Sequence, residues 1–320
     1  MEAFLLDYLH HIGITDGVTA SMVDCEICGG DDFATVVEVV DIGKGAFGRL
    51  PIRCCTRCGF MMQNPRFNRH FYSTYYNTYY RTILFGSSEP EKAFIADQVR
   101  RGEHLYKSLA DRGFLEAPGK ILDVGCSAGG LMVSFMRRGW TGLGTDPDLG
   151  FVTYGKEKLG LPLVVVDAED MDLPEAEHDL IIITGSLEHV YDANRVLSLC
   201  RRASRPGALL FLEGRALGHG ILSGHFSHTH RRYLTSTSLE LLMRKHGWQP
   251  LFTTDDPLCG PTRPGGVYCL GRAVEALAPD ALQALIQGGK RDDYRALQGR
   301  LAEGGVVIDA APRPGGEGGS

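Results

Sequence analysis

Apolar runs and amphipathic stretches alternate through the centre and the C-terminal half of the chain. Short apolar runs bounded by turn residues indicate buried strands, and apolar residues at intervals of three and four indicate helices between them. Strands are predicted at residues 120–124, 142–145, 162–166, 180–184, 208–213, 250–254 and 266–271, and helices at residues 130–138, 150–159, 192–203 and 236–246. This alternation is typical of βαβ units in a mostly parallel sheet, which binds ligands at the carboxyl ends of its strands.

The last predicted strand departs from the parallel order. Residues 253–266 form a connection that is too short to contain a crossover helix. Parallel neighbours require such a crossover, whereas antiparallel neighbours do not. Residues 266–271 are therefore expected to pair antiparallel with the preceding strand.

The region before residue 120 has a different pattern. Residues 2–11 have apolar positions at helical spacing, and residues 89–110 predict a longer helix. Between them lie a loop-rich block at residues 25–58, with one strand-like run at 35–40, and the aromatic segment 71–80. We divide the chain into an N-terminal segment with a small module (1–85), an α/β domain (86–275), and a helical segment with a disordered Pro- and Gly-rich tail (276–320).

Composition narrows the class of protein. The chain has 320 residues and a net charge of −6, which argues against a general binder of nucleic acid. No apolar run approaches the roughly 20 residues that span a bilayer, and the N-terminus lacks the basic start and long apolar stretch of a secretory signal. We expect a cytoplasmic protein without a membrane span, and the oligomeric state is left open.

Cysteines are concentrated near the N-terminus. Five of the nine lie between Cys25 and Cys58, and four of these form two C-x-x-C-G motifs, Cys25 to Gly29 and Cys55 to Gly59. Two such knuckles supply the tetrahedral set of four thiolates that structural zinc prefers, with no open position for catalysis. Zinc ligation by Cys25, Cys28, Cys55 and Cys58 is therefore predicted, with Cys54 as the spare. The alternative is a set of reduced core cysteines or a redox pair.

The strand at residues 120–124 ends in an acid and a glycine-rich turn. Asp123 to Gly129 has the spacing D-x-G-x-x-x-G, and Asp146 ends the next strand about 20 residues later. Glycines let the backbone approach a ligand closely, and a carboxylate after the second strand can accept both ribose hydroxyls. This turn alone predicts a cofactor that contains adenosine, without identifying which one.

Later signatures distinguish the cofactor. In chain order they are Asp167-Ala168 after the third strand, Ser186-Leu187-Glu188 after the fourth, and Arg205-Pro206-Gly207 before the fifth. With the turn and Asp146, this set resembles the class I S-adenosylmethionine-dependent methyltransferases over residues 120–271. The resemblance implies an α/β fold: a Rossmann-like methyltransferase sheet with an antiparallel last strand, here preceded by the small four-cysteine module.

The resemblance also implies which residues bind the cofactor. They are Asp123, Gly125, Cys126, Ser127, Gly129, Asp146, Asp167, Ala168, Ser186 and Glu188. The turn would hold the methionine and ribose end, and Asp146 the ribose hydroxyls. Asp167 and Ala168 would address the adenine edge. Ser186 and Glu188 would lie near the sulfonium, and Ser127 stands where many members have a glycine.

The N-terminal module adds a second resemblance. The knuckles and the aromatic segment resemble the zinc module that precedes many bacterial methyltransferases of sugars, surface glycans and natural-product intermediates. They are also similar to the module of zinc-bearing ribosomal RNA methyltransferases. Basic and acidic residues nearly balance over residues 24–85, so the phosphate-binding footprint expected for RNA is weak. A small-molecule or glycan-like acceptor is therefore favoured over nucleic acid.

A histidine-rich loop follows the fifth strand, where this class binds its acceptors. His228-Thr229-His230 resembles the His-Glu-His segment of deoxysugar C-methyltransferases, in which the second histidine is the base. The resemblance implies His230 as the general base, with His225 and His228 as alternatives, although Thr229 replaces the glutamate and Ser227 a tyrosine. Histidine suits this role because its ordinary pKa is about 6.5.

The tyrosines of the aromatic segment form the other candidate wall of the acceptor pocket. Tyr75, Tyr76, Tyr79 and Tyr80 could hold a polar acceptor through their hydroxyls, and Tyr76 and Tyr79 are our candidates for a catalytic contribution. The alternative is a packed aromatic seam between the two modules.

Together these features predict transfer of the methyl group of S-adenosylmethionine to a carbon or oxygen of a small-molecule, sugar or glycan-like acceptor. Such chemistry belongs to natural-product biosynthesis in the families that the module resembles. Two alternatives stay open: an RNA methyltransferase that recognises its substrate through the zinc module, and a non-catalytic, zinc-dependent assembly module.

Overall fold

The computed structural model describes residues 1, 3–43, 46–80, 86–87, 89–215, 228–263 and 265–288. Its helices are α1 Ala3–Ile12, α2 Arg69–Tyr75, α3 Lys92–Asp111, α4 Val133–Met136, α5 Leu149–Leu159, α6 Ala193–Ala203, α7 Ser236–Lys245 and α8 Pro279–Gly288. A π-helical turn, Tyr76–Tyr80, continues α2, and 3₁₀ turns lie at Gly130–Met132 and Ala168–Asp170. The predicted tail falls outside the described residues.

Thirteen strands are described. They are β1 Ala20–Ser21, β2 Phe33–Gly43, β3 Ala46–Cys55, β4 Met61–Gln63, β5 Arg66–Phe67, β6 Lys120–Val124, β7 Thr141–Asp146, β8 Leu163–Val165, β9 His178–Thr184, β10 Ser204–Arg215, β11 Arg232–Tyr233, β12 Trp248–Thr254 and β13 Gly266–Ala273.

A seven-stranded sheet with the order β12-β13-β10-β9-β6-β7-β8 forms the centre of the molecule. The strands from β8 to β10 are parallel, whereas β13 pairs antiparallel with both β10 and β12. The predicted α/β class and the reversed last strand are confirmed. Strand order reverses between β6 and β9, and such a switch point leaves a crevice at the carboxyl ends of the strands.

Helices cover both faces of this sheet, which explains the composition of its central strands. Ile181, Ile182 and Ile183 of β9 are completely buried although successive side chains point to opposite faces. Strands that are buried on both sides have continuous apolar runs rather than alternation. This is why the runs could be recognised in the sequence.

The helix predicted at residues 130–138 is shorter than expected. A 3₁₀ turn precedes the four residues of α4, and the chain then turns at Gly139, whose φ is +85°. The preceding helix α3 packs tightly on this segment: a Cβ at Gly102 would lie 2.2 Å from the carbonyl oxygen of Leu131. The glycine turn is therefore fixed from outside by α3 rather than by a long helix of its own.

The strand-like run predicted at residues 35–40 lies within β2, but the loop-rich prediction for the rest of residues 25–58 was wrong, because β2 and β3 form a long hairpin there. Its register shifts between Thr35 and Val37 and again between Val37 and Val39. The strand that was missed is β3, in which Gly48 and Pro51 interrupt the pattern, because both residue types are depleted in strands. The hairpin belongs to a sheet with the order β11-β4-β3-β2, so the short strand after the histidine-rich loop pairs with the N-terminal module.

Among the described residues, no helix is long and apolar enough to cross a membrane.

Candidate functional site

A cavity of about 490 Å³ lies at the switch point of the sheet, within the range of small-molecule and cofactor sites. It is lined by both halves of the chain. Eleven predicted site residues line it: Tyr76, Asp123, Gly125, Cys126, Ser127, Asp146, Asp167, Ala168, Ser186, Glu188 and His230. Gly129, Tyr79 and His228 are not among the lining residues, and His225 lies outside the described residues.

The glycine turn has three residues of positive φ, Gly125, Ser127 and Gly129, and is closely packed. Gly125 has a φ of +74°, and a Cβ there would lie 2.4 Å from the Cβ of Ser186. Ser127 also has a positive φ, +57°, and its backbone N–H donates to Asp146 Oδ2 at 2.8 Å. Glycine adopts this conformation without cost, whereas serine depends on such a bond to hold it. Gly129, with a φ of +74°, ends the turn against Leu161 rather than facing the cavity.

Two buried carboxylates, Asp123 and Asp146, give the turn its electrostatic character. Burial, and then repulsion by Asp146, raise the pKa of Asp123 to about 7, and Arg101 opposes the shift. Asp146 Oδ1 also accepts from the backbone N–H of Asp148 at 3.0 Å. A cation bound beside Asp123 would favour its ionised form, whereas a phosphate would not. The turn therefore suits a cationic adenosine cofactor better than a dinucleotide.

One more buried atom in the turn points to a ligand. Ser127 Oγ is buried in the cavity wall and has no hydrogen-bond partner within the described part of the chain. Buried hydroxyls are normally satisfied, so an unsatisfied one at a cavity indicates a missing ligand group or water. In contrast, the Ser186 hydroxyl donates to the Val124 carbonyl at 2.8 Å and is committed to holding two strands together.

The predicted adenine side of the cavity is bridged by the N-terminal module. Arg69 of α2 forms ion pairs with Asp167, at 3.1 Å, and with Asp170. These groups are part-exposed, so their contribution to stability is modest. The pair nevertheless places α2 against the turn that contains Asp167 and Ala168.

His189 is a site residue that sequence reasoning missed. Its Nδ1 lies 2.9 Å from the Thr229 carbonyl oxygen and 2.8 Å from the Tyr76 hydroxyl. A carbonyl only accepts, so Nδ1 carries the proton and Nε2 has the lone pair. Burial, followed by repulsion from His230, lowers the pKa of His189 well below its usual value, and the ring is neutral at pH 7. The signal was its position next to Glu188, but the contact that fixes its tautomer comes from 40 residues away.

Three side chains that could ligate a metal ion, those of Glu188, His189 and His230, lie close together at this point of the cavity. The rings of His189 and His230 have centroids 4.9 Å apart. Glu188 is almost completely buried, and its carboxylate and one nitrogen of each histidine lie within 4.8 Å of one another, close enough to hold a metal ion. The arrangement brings a carboxylate, a neutral imidazole of fixed tautomer and the predicted base together on one wall.

His228 is placed differently from His230. Its Nδ1 and Nε2 each lie 2.9 Å from a tyrosine hydroxyl, those of Tyr8 and Tyr75, and its side chain is buried. Both ring nitrogens are therefore engaged away from the cavity. Gln63 holds the following segment in place, because its amide donates to the His228 carbonyl and its N–H to that of Arg231.

The buried state of His228 predicts a pH-dependent stability. Burial, and then His230, lower its pKa to about 4, whereas in the unfolded chain it is about 6.5. At pH values between these two, the unfolded chain binds a proton that the folded protein does not. The contribution of neutral His228 to the free energy of unfolding is therefore complete above pH 6.5 and is lost as the pH falls towards 4. Its size is about 3 kcal/mol.

We expect His228→Gln to flatten the rise in unfolding free energy between pH 4 and 6.5, measured in urea. His10→Gln, at an exposed position in α1, should retain the wild-type slope. Equal slopes in wild type and His228→Gln would contradict the assignment.

The tyrosines combine the two alternatives given by the sequence. Tyr72, Tyr76 and Tyr80 line the cavity from one face of α2 and the π-helical turn. Tyr75 is buried against His228, with centroids 4.9 Å apart, and Tyr79 packs against the N-terminal core. The segment is thus both a cavity wall and an aromatic seam.

The four predicted zinc ligands come together as expected. Their sulfur atoms lie within 4.8 Å of one another, with Cys25 and Cys58 at 3.4 Å and Cys28 and Cys55 at 3.5 Å. These contacts are too long for disulfides and suit sulfurs that share one tetrahedral ion. The two knuckles have the same hydrogen bond: the N–H of the glycine that ends each C-x-x-C-G motif donates to the carbonyl of the first cysteine of that motif. Cys54 is buried outside the group.

A buried ionic network connects this knuckle to the cavity. Glu26, between the first two cysteines, pairs with Arg66 at 2.8 Å and accepts from both Nε and Nη2 of Arg232. Arg232 donates to the carbonyls of Leu187 and Val190. The network is therefore hydrogen-bonded to both ends of the segment that contains Glu188 and His189.

Comparisons with known proteins agree with the fold. Residues 122–212 match the family model described as a methyltransferase domain. The chain is 40% identical over 105 residues to the ubiquinone biosynthesis O-methyltransferase of Hahella chejuensis, covering 30% of this chain and 43% of that protein. It is 30% identical over 124 residues to the protein of the same name from Rhodopseudomonas palustris, covering 37% and 47%. The chain thus spans less than half the length of these curated relatives.

A solved structure shares the fold. The 1,6-didemethyltoxoflavin-N1-methyltransferase of Burkholderia thailandensis, determined with S-adenosylhomocysteine, has a TM-score of 0.51 and 16% identity, over 68% of this chain and 96% of that one. The fold and the turn define a protein with the architecture of the S-adenosylmethionine-dependent methyltransferases. Over residues 122–212 the chain matches a methyltransferase domain.

Proposed function

We propose that this protein transfers the methyl group of S-adenosylmethionine to a small-molecule acceptor bound in the cavity at the switch point. The observation that carries the proposal is the pair of buried carboxylates, Asp123 and Asp146, around a left-handed turn that opens onto this cavity. The cofactor supplies a methyl group on a positively charged sulfur, and the two acids match that charge. The names of the curated relatives support a small acceptor, and a sugar or glycan-like one remains part of the proposal.

In this proposal, residues of the chain bind the cofactor, orient the acceptor and remove a proton from it. Asp146 would accept the ribose hydroxyls while it holds the N–H of Ser127. His230 would take the proton of the acceptor, with the neutral His189 beside it as the alternative base. Alignment of the reacting groups and exclusion of water provide most of the rate enhancement in such displacements.

Zinc has a structural role in this proposal. Four buried thiolates fill a tetrahedral coordination shell, so the ion would stabilise the knuckles and would have no site for a substrate. The knuckle is connected to the cavity wall through Glu26, which gives a structural ion an indirect part in shaping the site.

The test of the proposed function is calorimetric titration with S-adenosylhomocysteine. Wild-type protein is expected to bind with a micromolar Kd. Asp146→Ala should weaken binding about 100-fold, because a charged acceptor of hydrogen bonds is lost and the turn is released. Asp111→Ala removes an exposed carboxylate on α3 and should bind like wild type. Absence of binding to the wild-type protein would refute the proposal and favour a non-catalytic role.

A further inference from the structure

Arg231 is a buried cation at the wall of the cavity. Its side chain is only 2% exposed, and the residue lines the cavity directly after His230. The guanidinium carbon lies 3.7 Å from the centroid of the Tyr72 ring and 5.9 Å from that of Tyr76. Aromatic faces attract a guanidinium and fix its plane, but they do not neutralise its charge.

The other arginines that line the cavity have carboxylate partners. Arg69 pairs with Asp167, and Arg101 and Arg263 both pair with Glu213. For Arg231 no ion pair is found within the described ranges, and its buried Nε and Nη1 have no hydrogen-bond partner there. Residues 216–227, which precede it in the chain, contain no Asp or Glu.

Arg231 remains charged despite its surroundings. Burial lowers its pKa to about 10, Tyr72 and Tyr76 act in the opposite direction, and the nearby Arg232 and Arg66 add to the lowering. A guanidinium with this pKa is protonated at neutral pH. Burying an unpaired charge is costly, and a ligand that supplies the opposite charge offsets that cost.

We propose that Arg231 binds an anionic group of the methyl acceptor, a carboxylate or a phosphate. The inference rests on the proposed function, because it treats the cavity as the acceptor site. A planar guanidinium offers two parallel N–H donors, and both anions can accept them in pairs. Arg231 and His230 line the same cavity, so an acceptor anchored in this way shares the cavity with the predicted base. The tyrosine faces suit an acceptor whose anion is attached to a flat ring.

The probes are benzoate, phenyl phosphate and the neutral analogue benzyl alcohol. Each is titrated calorimetrically into protein saturated with S-adenosylhomocysteine and, separately, into protein without it. We expect wild-type protein to bind at least one of the two anions at least tenfold more tightly than benzyl alcohol. The anion that binds more tightly distinguishes a carboxylate from a phosphate acceptor.

Arg231→Met keeps an unbranched, flexible side chain that can still contact Tyr72, but it removes the guanidinium group and its charge. It should lose at least tenfold in affinity for the preferred anion and retain its affinity for S-adenosylhomocysteine. Arg231→Lys should retain part of the anion binding. The control is Arg100→Met, which removes one charge from an exposed position on α3 and should leave all affinities unchanged.

The proposal is overturned if Arg231→Met binds the anion like wild type, or if wild-type protein does not prefer either anion to benzyl alcohol. The second result needs no variant, so it decides the matter even if Arg231→Met fails to fold. Titration without S-adenosylhomocysteine separates this failure from that of the proposed function. If wild-type protein does not bind S-adenosylhomocysteine but still binds an anion more tightly than benzyl alcohol, only the methyltransferase proposal is refuted.

Discussion

Cys58→Ser is expected to lose the bound zinc and to destabilise the N-terminal module. Wild-type protein should contain one equivalent of zinc, held by four buried sulfurs whose closest contacts are 3.4 and 3.5 Å. In small zinc domains the binding energy of the metal is folding energy, about 10 kcal/mol or more. Metal analysis of the purified variant and its thermal unfolding curve are the measurements, and we expect an early transition absent from wild type.

The matched control for the zinc prediction is Cys54→Ser. Cys54 neighbours a ligand and is equally buried, but its sulfur is outside the four-cysteine group. This variant should retain one equivalent of zinc, so a difference between the two variants reports ligation rather than the loss of any buried thiol. Full zinc in Cys58→Ser would contradict the assignment, and zinc loss in both would show that the knuckle tolerates no change in packing.

The parts of the site that the sequence revealed are those whose residues lie close together in the chain. The turn from Asp123 to Gly129 is formed by consecutive residues, and the two knuckles are each five residues long. The reversed pairing of β12 and β13 follows from the length of one connection. Local geometry decides these features, so a local pattern reports them.

The features that the sequence did not reveal depend on contacts between distant segments. His228 is sealed by the hydroxyl of Tyr8, which is 220 residues away in the chain. That contact separates two neighbouring histidines, one buried in the seam and one in the cavity wall. The significance of Arg231 lies in the lack of a carboxylate partner among the described residues, which only the folded arrangement shows. The hairpin of β2 and β3 was recognised only at residues 35–40, because Gly48 and Pro51 interrupt the pattern of β3.

The ionic network around Glu26 explains how an N-terminal module can shape a site formed mostly by the α/β domain. Although burial alone would raise the pKa of Glu26, Arg232 and Arg66 lower it to about 2. The carboxylate is thus ionised at neutral pH and balances two buried guanidinium groups. Arg232 also donates to carbonyls of the 187–191 segment. Glu26 therefore fixes the position of Arg232, and Arg232 in turn fixes this part of the cavity wall.

Glu26→Ala is expected to lower the free energy of unfolding by about 3–5 kcal/mol, because it leaves Arg66 and Arg232 buried without their carboxylate. The control, Glu38→Ala, removes a carboxylate from an exposed ion pair with Arg49, which joins β2 to β3. It should lower the free energy of unfolding by less than about 1 kcal/mol. Urea unfolding measures both values. If Arg232 positions the cavity wall, amide hydrogen exchange in residues 187–191 should also accelerate in Glu26→Ala under native conditions. A variant that loses stability but keeps wild-type protection in this segment would show that the network stabilises the module without positioning Glu188 and His189.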